Sequence, residues 1–218
     1  MPLAAHLDVV NAACTGIGVS PLGNDGMDED SDVGQAVASA YWTVLDFNLG
    51  VYLFGFAQTT TQLSVNDLAT PLTGYSYVFD MPAEAIGEPL WITDSITNPA
   101  RRFSAFKLQE RTIHASKSPL YAQIRYRPEP NRWSPAFRAA TITALQASLA
   151  LSHREDKGLS DQLHERAYGT PSEGYRGGQF GAAIRADAFS VPPRQANWDN
   201  NPLTNAWRDD ATGSVSDD

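Results

Sequence analysis

The apolar residues near the start of the chain recur with helical spacing. A first stripe has the 4-3-4-3 pattern of one face of an α-helix. Gly18 can close this helix, and Pro21 prevents it from continuing. Ser31, a typical N-cap residue, precedes a second stripe with the same spacing. The stripes are Leu3, Leu7, Val10, Cys14 and Ile17, and Val33, Val37, Ala40, Val44 and Phe47. The pattern predicts two amphipathic helices that pack together.

From Gly74 onward the period of the pattern changes to two. Alternating apolar and polar positions are typical of strands with one buried face. The alternating sets are Tyr75, Tyr77 and Phe79, then Phe106 and Leu108, then Leu120, Ala122, Ile124 and Tyr126 opposite Tyr121, Gln123, Arg125 and Arg127. We expect a small antiparallel sheet in the middle of the chain.

Helical spacing returns at Ser134-Pro135, which combines an N-cap hydroxyl with a proline at the first helical position. This third helix should run to about Ser152. One of its faces carries bulky side chains, and the other carries side chains small enough for another helix to approach closely. This favours a place at the centre of a bundle. The bulky residues are Phe137, Ile142, Leu145 and Leu149; the small ones are Ala139, Ala140, Thr143, Ala144 and Ala147.

A fourth helical stretch begins near Leu159, is broken around Gly169 and Pro171, and can resume through Phe180. The predicted fold class is therefore α+β and mainly α. We expect a four-helix bundle, from residues 1–56 and 134–190, with a small antiparallel sheet inserted at about 57–132. Together these make one domain, residues 1–191. Residues 192–218 are rich in Pro, Asn, Gly, Ser and Asp, which predicts an extended C-terminal tail.

Composition narrows the class of protein. No apolar run is long enough to span a bilayer, and no Lys or Arg precedes the first apolar residues as in a secretory signal, so we expect no membrane association. The single cysteine, Cys14, allows no disulfide within the chain and is typical of a small buried side chain.

Charge is unevenly distributed along the chain. Of 25 acidic residues, 12 lie in residues 1–100, which contain no Lys or Arg, whereas residues 101–218 hold 13 acids and all 16 bases. The two parts thus carry −12 and +3. Because DNA affinity depends on cations that neutralise phosphates, this argues against specific DNA binding.

Candidate catalytic and metal-binding residues give no recognisable pattern. An acidic loop lacks the order of ligands and the closing Glu of an EF-hand, and its carboxylates are better explained as favourable charges before a helix N-terminus. The four histidines have no partner at metal-ligand spacing, and no motif of a nucleophile or a zinc protease is present. The acids of the loop are Asp25, Asp28, Glu29, Asp30 and Asp32. We therefore expect no enzyme, no metal and no cofactor.

A cluster of bases in the predicted sheet is the most informative charge pattern. It has two interpretations: a solvated face, or a contact in which the basic sheet of one copy meets the acidic N-terminal part of the next copy in a closed ring. The bases are Arg101, Arg102, Lys107, Arg111, Lys117, Arg125, Arg127 and Arg132; the acids that would face them are Asp28, Glu29, Asp30 and Asp32.

The order of these features resembles that of the phage head-tail adaptors typified by tail tubular protein A, also called head-to-tail connectors. The stretch that carries most of the resemblance is LYAQIRYRPEPNRWSPAFRAATITALQASLALSHREDKGLSDQLHERA, with a strand, a short Pro/Asn turn, W-S-P-A-F and an alanine-rich helix. The N-terminal helix pair and the strand in GYSYVFDMP are also similar to the family pattern.

This resemblance implies a structural virion protein, assembled in the host cytoplasm and located at the portal-tail junction. It implies a ring, usually of twelve copies, that docks under the portal, extends the DNA channel and receives the next tail or nozzle protein. Genomic DNA would pass through without specific binding. The tail would then dock on the portal through residues of the types that most often anchor interfaces. These are Arg194, Trp198, Trp207 and Arg208.

One alternative from another class stays open. A small metal-dependent hydrolase, or one that acts on a cell-envelope polymer, could use the acidic loop together with Asp161 or Glu165 as catalytic acids.

Overall fold

The computed structural model describes residues 3–23, 26–28, 30–97 and 102–190. The described residues up to Ala188 belong to one compact unit, and a second unit begins at Phe189. The predicted boundary between an adaptor domain and a tail at residue 192 falls outside the described residues and stays a prediction.

The fold is α+β, as predicted, with five described helices. Their bounds are Leu3–Gly16 (α1), Asp32–Val51 (α2), Pro135–Ser152 (α3), Lys157–Tyr168 (α4) and Gly178–Ser190 (α5). The first three confirm the predicted helices. The fourth predicted stretch is divided at residues 169–177, where the sequence indicated a break, so the expected four-helix bundle is not confirmed.

Side-chain caps explain where three of these helices begin. Ser31 Oγ accepts a hydrogen bond from Gly34 N at 3.0 Å before α2, and Ser134 Oγ accepts one from Phe137 N at 3.3 Å before α3. The Asp156 carboxylate accepts one from Leu159 N at 2.9 Å before α4. Each cap satisfies an N–H group that has no partner within the helix.

Helix α3 lies at the centre of the helical region and contacts α1, α2 and α4. Its bulky residue Phe137 packs in edge-to-face geometry against Phe54, Trp133 and Phe180, with ring centroids 4.8 to 5.8 Å apart. The small face permits a close approach, since Ser160 Oγ of α4 donates a 2.8 Å hydrogen bond to the carbonyl of Ala147. The predicted central position of this helix is confirmed.

Seven described strands form two antiparallel sheets rather than the single small sheet that was predicted. The strands are Gln58–Gln62 (β1), Ser64–Val65 (β2), Tyr77–Asp80 (β3), Trp91–Thr93 (β4), Phe106–Gln109 (β5), Thr112–Ala115 (β6) and Tyr121–Arg125 (β7). One sheet has the order β1-β7-β4 and the other β2-β3-β6-β5. We call residues 58–125 the β region.

Two continuous segments join the sheets. Residues 58–65 form β1 and then β2, and so pair with β7 in one sheet and with β3 in the other. The second segment includes Arg102, which forms a β-bridge with Thr93 of β4 in one sheet. Four residues later the same segment begins β5 of the other sheet. Between the sheets lies a second apolar core that includes Leu63, Phe79 and Ile113. Local alternation could not predict this division, because residues 58–65 are one continuous segment that contributes a strand to each sheet.

The chain passes from the β region to α3 through a short turn around Trp133. The Trp133 indole is buried, and its Nε1 donates a 2.8 Å hydrogen bond to the carbonyl of Pro128. Within the part of the chain that the structure describes, no helix is long and apolar enough to cross a membrane.

Candidate docking surfaces

An open groove of about 320 Å³ lies between α2 and α4, with α3 as its floor. The small residues Ala144 and Ala147 bring both neighbouring helices close to α3 without filling the space between them. The groove is mainly apolar. Its apolar residues are Val44, Phe47, Ala144, Ala147, Leu151 and Tyr168.

The buried face of α2 differs from the predicted stripe. Tyr41, Leu45 and Leu49 are the large side chains that α2 buries in the core, whereas Phe47 is 44% exposed. Of the predicted stripe, Val37 and Ala40 are buried, and Val33 and Val44 are partly buried against the helical core. The prediction was therefore wrong for Phe47, which lines the groove together with Val44.

Four rings form a continuous aromatic cluster beside the groove: Phe47, His164, Tyr168 and Tyr175. Phe47 packs edge-to-face against Tyr168 and Tyr175, with centroids 5.5 and 5.4 Å apart. His164 lies 4.8 Å from Tyr168 and 6.0 Å from Tyr175. Tyr175 is 47% exposed. Exposed aromatic side chains of this kind are enriched at protein interfaces.

The base of the cluster is fixed by a buried polar network. Tyr168 Oη donates a 2.6 Å hydrogen bond to Asn48 Oδ1, and Asn48 Nδ2 donates one to Thr141 Oγ1 at 3.3 Å. Tyr168 also stacks on Phe180 at 5.0 Å. Burial, reinforced by the nearby Tyr175, raises the pKa of Tyr168, which keeps its hydroxyl protonated and donating.

The break between α4 and α5 positions Tyr175. Gly169 and Gly178 have positive φ angles, and Tyr175 itself has φ +64°. Gly177 N donates a 3.0 Å hydrogen bond to the carbonyl of Tyr168, which closes the loop over the end of α4. The loop thus returns the chain to the aromatic cluster and presents Tyr175 on the surface.

The acids of the hydrolase alternative lie in a neighbouring depression of about 300 Å³. Asp161, His164 and Glu165 line it together with Tyr175. Asp161 pairs with Lys157 at 2.6 Å, one helical turn away. Among the described residues no group of three or more His, Cys, Asp or Glu side chains could hold a metal ion.

Leu68 is a second, separate apolar feature. It is fully exposed at the tip of a turn after β2. Asn66 Oδ1 accepts hydrogen bonds from Leu68 N and Ala69 N, both at 3.1 Å. Asn66 Nδ2 in turn donates to both oxygens of Asp80, at 2.9 and 3.1 Å. The turn that carries Leu68 is therefore fixed to β3.

The predicted inter-subunit bases occupy several places in the β region. Arg102, Lys107 and Arg111 are exposed, at the bridge to β4, on β5 and in the turn after β5 respectively. Arg111 donates a 3.0 Å hydrogen bond to the carbonyl of Pro82. Arg125 is half-buried at the end of β7, and its Nε has no hydrogen-bond partner among the described residues. Arg101 lies outside the described residues.

Arg127, another of the predicted bases, is engaged within its own chain, as is Lys117, which pairs with Asp94. Its Nε and Nη2 donate 2.6 Å hydrogen bonds to the two oxygens of Asp46 on α2. Its guanidinium also lies 5.4 Å from the ring centroid of Trp42. The hydrogen bonds that Arg127 donates to Asp46 raise the pKa of Arg127, although burial opposes this shift. Arg127, two residues after β7, thus ties the end of the β region to α2.

Of the predicted acids, Asp30 and Asp32 are exposed around the start of α2. Asp30 accepts a 3.2 Å hydrogen bond from Gln35, and Asp32 lies in the first turn, where its charge favours the helix dipole. Asp28 ends a short 3-10 turn, but its side chain lies outside the described residues. So do Glu29 and the four predicted portal-binding residues Arg194, Trp198, Trp207 and Arg208.

The predictions from sequence did not single out the exposed features. Phe47 was assigned to a buried stripe, and Leu68, Tyr168 and Tyr175 were given no docking role. Leu68 had one usable signal, since a large apolar residue in the polar turn sequence Asn66-Asp67-Leu68 has no local packing partner. The aromatic cluster had no such signal in the sequence, because its residues come from three separate segments of the chain.

The comparisons with known proteins give no family assignment. No protein-family model matches the chain, and no curated protein matches it.

Proposed function

We propose that the chain is a structural virion protein of a tailed phage, a ring-forming head-to-tail adaptor. It docks under the portal, extends the DNA channel and attaches the next tail or nozzle component. The observation that carries the proposal is the open apolar groove with its exposed aromatic cluster, because such a surface on a folded domain is typical of a protein-protein contact.

The segment that resembles the adaptor family supports this proposal. It contains β7, the Trp133 turn, α3 and α4, and thus the floor and one wall of the groove. In the proposal the helical region and the β region build the ring, and the four-helix arrangement of the family corresponds to α1, α2, α3 and the divided α4-α5 segment.

Charge also supports the proposed ring. Arg102, Lys107 and Arg111 are exposed on the β region, and Asp30 and Asp32 are exposed around the start of α2. A contact between these two sets in neighbouring copies would be heterologous and could close a ring. Arg127 is excluded from this contact, since it already pairs with Asp46. The net charge of −9 suits a channel through which DNA passes without adhering.

Electron microscopy tests the proposal directly. The purified protein is mixed with the portal protein of the same phage and imaged. We expect rings stacked on the narrow end of the portal. A protein that remains monomeric and unbound when portal is in excess would contradict the proposal, and hydrolysis of a cell-envelope polymer by the pure protein would favour the enzyme alternative.

The proposed portal contact through residues 192–218 has its own experiment. We expect deletion of these residues, or the pair Trp198→Ala and Trp207→Ala, to weaken portal binding at least tenfold, since Trp side chains carry large shares of interface energy. Trp91→Ala, at a half-buried tryptophan of β4, is the matched control. Unchanged affinity after the deletion would contradict the portal contact and leave the ring untouched.

A further inference from the structure

Leu68 has the properties of an interface anchor. Its side chain is fully exposed, and its turn is held by the amide of Asn66, which bonds both to the turn and to Asp80. A side chain whose backbone is already fixed loses less conformational freedom when it is buried against a partner. Because its side chain is fully exposed, Leu68 does not contribute to the apolar cores of the described part of the chain.

The groove between α2 and α4 has the size and chemistry that such an anchor requires. Its volume of about 320 Å³ exceeds that of a single leucine side chain and leaves space for the flanking Ala69. Ala144 and Ala147 form an apolar floor, and Phe47 and Leu151 are exposed at its sides. An apolar side chain that enters the groove removes apolar area of both copies from water.

The charges around the two features are complementary on one side of the groove. Asp67, next to Leu68, is the only charged residue between Leu63 and Phe79. No carboxylate is among the described residues that line the groove. An adjoining depression, which shares Phe47 with the groove, is lined by Arg176. A second depression, which shares His164 with the groove, is lined by Asp161 and Glu165. Charge therefore favours the orientation in which Leu68 enters the groove with Asp67 facing Arg176.

We propose that Leu68 of one copy inserts into the groove between α2 and α4 of a second copy. The two surfaces differ and belong to different regions of the chain, so the contact is heterologous and each copy retains a free groove and a free Leu68 for further copies. This inference rests on the proposed function, because it assigns the surfaces that join neighbours in the ring.

Disulfide trapping between two full-length variants tests the contact. Leu68→Cys on an untagged chain is mixed with Ser148→Cys, in the groove, on a tagged chain, and the mixture is oxidised. The native Cys14 is fully buried and does not compete. The control replaces the groove variant with Gln162→Cys, which is exposed on α4 but does not line the groove. We expect the mixed disulfide to form several-fold faster with Ser148→Cys than with Gln162→Cys.

Equal rates for the two pairs would overturn the proposal. So would trapping of Ser148→Cys on the portal protein in place of a second copy, since the groove would then belong to the portal contact. Rings on the portal without the mixed disulfide would overturn the Leu68 contact alone. The mixed disulfide without any portal binding would contradict the adaptor function and leave the contact intact.

A second measurement avoids oxidation. Leu68→Ser removes the apolar anchor and, because the side chain is fully exposed, should leave unfolding unchanged. We expect the Kd for self-association, measured by sedimentation, to rise about 10- to 100-fold, as for loss of a buried leucine. Leu151→Ser should also raise this Kd, whereas Val65→Ser, on the edge strand β2, should leave it unchanged. An unchanged Kd for Leu68→Ser would contradict the contact.

Discussion

At the scale of single residues, Asn48 is a polar side chain that needs hydrogen-bond partners because it is buried in the core. It is fully buried in α2, and each end of its amide has one partner, Tyr168 and Thr141. Each hydrogen-bonding group of a buried amide costs about 1 to 3 kcal/mol when it is left without a partner. The aromatic cluster therefore depends on a polar residue in the core.

Tyr168→Phe tests this dependence. The change keeps the ring that packs on Phe47 and Phe180 but removes the hydroxyl that donates to Asn48 Oδ1. We expect the free energy of unfolding to fall by about 1 to 3 kcal/mol, because a buried acceptor loses its partner. Urea unfolding measures the change, with Tyr175→Phe, at an exposed tyrosine, as the control. A loss no greater than that of the control would show that the network does not contribute.

His6 should make the stability of the protein depend on pH. It is buried beside Tyr41, Trp42 and Trp133, and its Nδ1 lies 2.6 Å from Tyr41 Oη. Burial lowers the pKa of His6 below its ordinary value of 6.5, although the charge of Glu129 opposes the shift. As the pH falls below 6.5, His6 therefore binds a proton more readily in the unfolded chain than in the folded chain.

The free energy of unfolding should consequently be highest above pH 6.5 and fall as the pH decreases towards the lowered pKa of His6. Urea unfolding at several values from about pH 7.5 to 5 measures this. We expect His6→Gln to show a smaller loss over that range than the unsubstituted chain. His153→Gln is the control and should follow the unsubstituted chain. An identical pH dependence with and without His6 would contradict the prediction.

At the scale of elements, the separation of α4 from α5 rests on a close backbone approach. A Cβ on Gly178 would lie 2.5 Å from the carbonyl oxygen of Arg166, and its φ is +50°. We expect Gly178→Ala to lower the free energy of unfolding by about 2 kcal/mol or more. Gly50→Ala, exposed on α2 with no atom near the added Cβ, should instead raise it by about 0.5 to 1 kcal/mol.

Thermal and urea unfolding of both variants distinguish these effects. If Gly178→Ala proved as stable as the unsubstituted chain, the break would not depend on the close approach of Gly178 to Arg166.

The sequence predicted the elements well where a local signal existed. Ser134 and Pro135 located the start of α3, and its run of small residues predicted its central position. The rotation of α2 could not be predicted, because a stripe and its neighbouring positions are equally apolar there. Tyr41 and Leu45 enter the core, and Phe47 does not, only because of where α3 and α4 lie.

At the scale of the whole molecule, opposite charges on the two regions should govern assembly. We expect the double change Lys107→Glu and Arg111→Glu to weaken self-association and to reduce its dependence on salt, since surface ion pairs are screened. Asp30→Lys with Asp32→Lys on the partner copies should restore it. Sedimentation of mixed variants measures both effects.

The matched control reverses two exposed cations of the helical region, Arg166→Glu and Arg185→Glu, and changes net charge equally. If the control weakened self-association as much as the substitutions in the β region, the effect would come from overall charge and the specific contact would be wrong.

The candidate surfaces were less predictable than the fold. Charge could be read along the sequence, so exposed bases at residues 102, 107 and 111 were anticipated. The internal pairing of Arg127 with Asp46 was not, because the two residues are 81 positions apart. The groove arises from three helices, and no local pattern describes the space between them.

The strand segment 58–65, which belongs to both sheets, has a consequence for a protein held close to copies of itself. Exchange of a strand between neighbours is a common failure when identical domains are crowded. Here the exchanged segment would have to leave β7 and β3 at the same time. Copies that meet in the proposed ring should therefore remain individually folded, and each could be replaced during assembly without unravelling its neighbour.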